Sequence, residues 1–130
     1  MTLKVIRLEL ARTKGHPEGD PHHAYVLRAP LSPDGHIDTE QFKLLSDLCS
    51  VTKFAPGNDD ETGRLLRTRS GWAFSYAPGT DDDEPLYRLG SHFFRAGEYV
   101  TITEHDGVAR TFRVVSVDNA ALPPVFQKAQ

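Results

Sequence analysis

One cysteine, Cys49, in a chain of 130 residues excludes an internal disulfide and a thiolate-built zinc centre within one chain. Charge of one sign is equally scarce. Lys and Arg number 15 against 18 Asp and Glu, a formal net charge of −3 with a pI near 6.0. Bulk attraction to nucleic acid or to an anionic membrane is therefore not expected. Long apolar runs are missing too. The opening stretch Met1 to Leu10 carries Lys4, Arg7 and Glu9 among its apolar residues, whereas a signal-peptide core is uninterrupted and a membrane helix needs roughly 20 apolar residues. The sequence thus predicts a soluble, cytoplasmic protein, and a lone thiol suits a reducing compartment. With no Gly-x-Ser-x-Gly elbow and no phosphate-cradling glycine loop, nucleophilic catalysis has no motif behind it.

What is present is an ordinary globular composition, 38% hydrophobic and 25% charged, sufficient for one core. The predicted organisation is a single β-rich domain over 1–118 and a flexible tail over 119–130 containing Pro123-Pro124. Leu3 to Ala11 alternates, with Ile6, Leu8 and Leu10 on one face and Arg7 and Glu9 on the other, the period-two signature of a half-buried strand. His23 to Ala29 reads as a second strand.

Asp38 followed by Gln41, flanked by Ile37 and Phe42, is a capping box with a hydrophobic staple, and predicts one short helix over Thr39 to Leu48. Arg64 to Arg69 and Trp72 to Ala77 read as a hairpin. Gly90 reads as a bend between two further β segments, Leu86 to Leu89 and Ser91 to Phe94. Glu98 to Glu104 and Val108 to Asp118 form the clearest hairpin, turned by Asp106-Gly107. The expected fold is mainly β, or α+β with that one helix: a small barrel or sandwich of about six or seven mostly antiparallel strands.

Three groups of residues invite chemistry. His16, Asp20, His22 and His23 crowd a Gly/Pro-rich loop that is longer than a hairpin needs, and with His92 they form a candidate metal set, zinc being the cofactor imidazole and carboxylate would hold. Neighbours on a strand face opposite ways, however, so His22 and His23 do not comfortably ligate together. Trp72, Phe74 and Tyr76 share one strand face beside Arg64, Arg67 and Arg69, a pattern that suits single-stranded nucleic acid. Burial is the commoner fate of such a stripe, and it is weighed as core first. Asp81-Asp82-Asp83-Glu84 lacks calcium-loop spacing and reads as a solvated acidic run.

The C-terminal third, Phe94 to Ile102 with Thr111 to Val117, resembles the closing hairpin of SH3-like small barrels. The phrases "GWAFSY", "DDDEPLYRLGSHFF" and "GEYVTI…FRVVSV" resemble a family of small bacterial proteins of unknown function. That resemblance implies a compact domain and a bacterial source, and no activity. The sequence thus favours a non-catalytic binding or interaction module, with a protein or small molecule as partner. A metal-binding protein or metal-dependent enzyme at the 16–23 loop, and a nucleic-acid binder at the 64–76 hairpin, are the alternatives.

Overall fold

In a computed structural model the chain forms a closed antiparallel barrel in which each strand pairs with the next and the last returns to the first. Residues 3–69, 71–76, 83–87 and 93–122 are described. The strands are β1 (Leu3–Leu10), β2 (Asp20–Ala29), β3 (Ser50–Phe54), β4 (Glu61–Thr68), β5 (Gly71–Ser75), β6 (Glu84–Tyr87), β7 (Tyr99–Thr103) and β8 (Ala109–Ala120). Eight strands replace the expected six or seven, because closing the sheet requires β3 and β6 as full members. Phe93 and Phe94 lie outside any strand, and Gly90 and His92 fall outside the described residues. β8 runs to Ala120, with Asn119 paired to Lys4 and Ala120 to Leu3.

The helix α1 (Thr39–Leu45) starts where the capping box places it. The Asp38 carboxylate accepts from the Gln41 backbone N–H at 3.0 Å and from the Gln41 side chain at 3.1 Å. It ends earlier than expected, giving way to a 3-10 turn over Ser46–Leu48. No helix among the described residues is long and apolar enough to cross a membrane.

Strand parity builds the interior. Ile6, Leu8, Tyr25, Leu27, Val51, Phe74, Ile102 and Phe112 are all buried, each full burial of such a side chain being worth about 1.5–3 kcal/mol. Because α1 joins the end of β2 to the start of β3, it lies at one end of the barrel and plugs it. There Phe42 meets Trp72 edge-on with ring centroids 4.8 Å apart, and Leu45, Ile37, Leu31 and Phe94 complete the seal. At the opposite end the described residues place no such plug, and the chain turns polar.

Gly63 matters to that polar end. A Cβ there would collide with the Ser75 carbonyl oxygen and lie 2.8 Å from the Tyr76 ring, so glycine lets β5 approach and Tyr76 settle beside β4.

Cys49 closes the plugged end. Its thiol is buried and donates to the Leu45 carbonyl at 3.3 Å. Burial pushes it up to about 11 against the weaker pull of Arg64. A disulfide reagent such as dithiobis-nitrobenzoate at neutral pH is expected to leave the native thiol untouched and to label it at once in denaturant. Prompt labelling of the native protein would place Cys49 outside the core.

Candidate ligand site at the polar mouth of the barrel

The inward rows of side chains do not stop where the apolar residues stop. Two residues beyond Val51 comes Lys53, two beyond Ile102 comes Glu104, two beyond Phe74 comes Tyr76, and two before Tyr25 comes His23. Glu84 opens β6 at the same end. Period two therefore drives a set of charged and phenolic groups into the unplugged end of the barrel. Glu84 is fully buried and Glu104 and Lys53 nearly so.

The groups satisfy one another. Glu84 Oε1 accepts from the hydroxyls of Tyr76 (2.7 Å) and Tyr25 (3.0 Å). Its Oε2 accepts from Lys53 Nζ (2.5 Å) and the His105 backbone N–H (3.0 Å). Glu104 Oε2 lies 2.6 Å from the Tyr25 hydroxyl, 2.8 Å from His23 Nε2 and 3.0 Å from Lys53 Nζ. Its Oε1 accepts from Arg110 at 2.7 Å. Tyr25 brings one proton to two carboxylates and ties them together. Outside this shell, His105 Nε2 meets Glu61 at 3.0 Å, and Arg110 also grips Asp106 at 3.0 Å.

These contacts set the titration of the mouth. Burial alone would raise Glu104, but the hydrogen bonds from His23, Tyr25 and Lys53 outweigh it and hold the carboxyl at about 2. Burial opposes the charge on Lys53, yet Glu84 and Glu104 push its ammonium above the ordinary range. Tyr25 and Tyr76 are driven far above it, by burial first and by the Glu84 charge next. A carboxyl depressed in the folded state stabilises fully above its unfolded value, and that contribution is lost as pH falls from about 4.5 towards about 2. Acid unfolding of Glu104→Gln is therefore expected to show a flatter stability profile across this window, from a lower starting stability. Identical slopes in variant and parent would show that Glu104 does not govern the acid limb.

Above the network lies a cavity of about 260 Å3 lined by His23, Lys53, Asn58, Glu104, His105 and Arg110, with Ala55, Pro56 and Asp106 at its rim. A wider groove of about 700 Å3 runs along the outside of the barrel, between the 11–21 connection and Tyr99, Thr111 and Arg113.

The residues singled out in the sequence separate. His16 sits exposed in a tight turn, exchanging backbone hydrogen bonds with Thr13. Asp20 accepts from the His22 backbone N–H at 2.9 Å. His22 points to solvent while His23 turns into the mouth, as alternation requires. His92 lies outside the described residues, and among those described no three His, Cys, Asp or Glu side chains group as a metal site.

The aromatic hairpin faces inward. Trp72 and Phe74 are core, Tyr76 is half-buried with its hydroxyl on Glu84, and the Arg67 guanidinium lies over the Trp72 ring, 5.7 Å from its centroid. Arg64 pairs with Asp47 at 3.1 Å and Arg69 is exposed. Of all these residues, His23 and Tyr76 belong to the mouth. Glu84, expected in a solvated acidic run, is instead fully buried, because it opens β6 facing the interior. Sequence reasoning missed Tyr25, Lys53, Glu61, Glu104 and Arg110 as site residues. The signal that finds several of them is parity: charge at an inward position of a strand end.

Fold and site together define a small antiparallel barrel, plugged by a helix at one end and hollow and charged at the other. No protein-family model, curated protein or solved structure matches the chain.

Proposed function

We propose that the protein is a non-catalytic binding module that holds a small polar molecule in the mouth of the barrel. One observation carries this reading: the cavity walls are side chains already fixed by a buried ion network. Burying charges costs several kcal/mol each before pairing repays it, and apolar substitutes of similar shape are often as stable. A barrel that needed only stability would do as well with leucine there. Side chains locked before a ligand arrives lose little further freedom on binding, which is what a preorganised pocket requires. Strand-built barrels hold small ligands at such mouths. The reading takes the protein as cytoplasmic, where a buried thiol stays reduced.

The test is a screen of small polar fragments against the 15N-labelled chain by two-dimensional NMR. Saturable shifts are expected at His23, Asn58, His105 and Asp106. Fragments that bind only along the Tyr99 and Arg113 groove, or none that reach the mouth, would overturn the reading.

A further inference from the structure

The charged side chains that line the mouth form a ladder of alternating sign. Lys53 Nζ stands 3.0 Å from Glu104, Glu104 2.7 Å from Arg110, and Arg110 3.0 Å from Asp106. Two positive and two negative groups thus line the cavity, each within hydrogen-bond reach of an opposite charge. Glu84 lies beneath them, enclosed by Lys53, both tyrosine hydroxyls and the His105 backbone N–H. Among the described residues, hydrogen-bonding capacity of both kinds is left over. Arg110 meets Glu104 and Asp106 through its two terminal nitrogens, which leaves its Nε–H without a partner there. Lys53 has a third N–H beyond those on Glu84 and Glu104. The Asn58 side chain gives one N–H to the Pro56 carbonyl at 3.4 Å and keeps the other, together with its Oδ1.

We infer that the mouth selects a small uncharged molecule that carries a carboxamide or urea group, an N–H beside a C=O. This rests on the reading of the mouth as a small-molecule site. A single charge gains little on such a ladder, because each group that attracts it stands 2.7–3.0 Å from one that repels it. An ion would also give up its hydration for a pocket whose charges are already paired. An amide surrenders far less and gains at both ends: its C=O accepts from a leftover N–H, and its N–H donates to Asn58 Oδ1 or to a carboxylate. Asn58 itself offers the complement of an amide, one N–H and one carbonyl oxygen on a single planar group. An alcohol, with one oxygen to place, engages these one at a time. The hollow of about 260 Å3 matches about eight or nine waters at roughly 30 Å3 each, room for the amide and a short carbon chain. Ala55 and Pro56 at the rim offer an apolar rest for the chain.

The experiment titrates the 15N-labelled full chain separately with butanamide, butan-1-ol, n-butylammonium and butanoate. Butanamide is expected to give saturable shifts at the Asn58 side-chain amide and at the His105 and Asp106 backbone amides. It should bind about fivefold more tightly than any of the other three. Its affinity should change by less than about twofold between low and physiological salt, whereas binding driven by net charge is screened. Equal or tighter binding of either ion, or of the alcohol, would overturn the inference and leave the small-molecule site standing. Silence of the mouth towards all four probes would overturn it too, and the fragment screen then decides the site on its own. Asn58 and Asp106, both exposed, test the cause. Asn58→Ala is expected to weaken butanamide about fivefold, the worth of one hydrogen bond. Unchanged affinity would strike out the amide contact and the inference with it. Asp106→Asn keeps an acceptor for the Val108 N–H and removes one negative charge from the ladder. Butanoate should then gain several-fold while butanamide holds its affinity. No gain for butanoate would remove the electrostatic basis of the proposal.

Discussion

Lys53→Met is expected to destabilise the barrel by about 3–5 kcal/mol, the cost of removing one partner from a buried ion pair. The methionine fills nearly the same volume, so little of the loss is cavity. What remains is Glu84 and Glu104, both buried, linked through the Tyr25 hydroxyl with no ammonium between them. Arg110 reaches only the outer oxygen of Glu104. In a domain whose whole stability is of the order of 5–15 kcal/mol, this lowers the thermal midpoint by about 10–20 °C. Urea unfolding of parent and variant measures it directly. A loss below about 1 kcal/mol, the range of exposed ion pairs, would mean that water reaches the network. Adding Glu84→Gln to Lys53→Met should recover part of the loss, since the amide leaves one charge fewer without a partner.

Phe74→Ala is the second large effect, at about 3–5 kcal/mol for deleting a buried aromatic ring. Phe74 is fully buried and packs on Tyr25 with centroids 5.2 Å apart. The cavity left behind loosens the ring whose hydroxyl joins Glu84 to Glu104, so the mouth should suffer with the core. Arg69→Ala, from the same hairpin but exposed, is expected to stay within about 0.5 kcal/mol. Chemical denaturation of the pair separates a structural stripe from a surface one. Near-equal values would return the aromatic face to solvent.

Local physics was legible in the chain. Alternation in β1, the capping box at Asp38 and the Asp106-Gly107 turn each need only a few neighbouring residues, and all three formed as read. In the turn, Asp106 accepts from the Val108 N–H at 2.9 Å and Gly107 takes a φ of +84°. The stripe of Trp72 and Phe74 went to the core, the fate weighed first for it.

The candidate site was hidden for a physical reason. Lys53, Glu84 and Glu104 stand tens of residues apart, and each alone resembles an ordinary charge at a strand end. Only closure of the sheet shows that their parity points inward at one end. The 16–23 loop drew attention because its histidines are adjacent in sequence, yet the pleat sends His22 outward and His23 inward.

Closure of β1 onto β8 has a consequence for partners. Antiparallel sheets commonly recruit peptides by adding a strand to an exposed edge, where unpaired N–H and C=O groups wait. Here both ladders of β1 are occupied, by β2 on one side and β8 on the other. A peptide cannot join this ring by main-chain pairing without first prising a seam apart. Recognition is then left to side chains, at the mouth or along the outer wall, and a ring whose described strands each pair on both sides is also poorly suited to growing into a fibril.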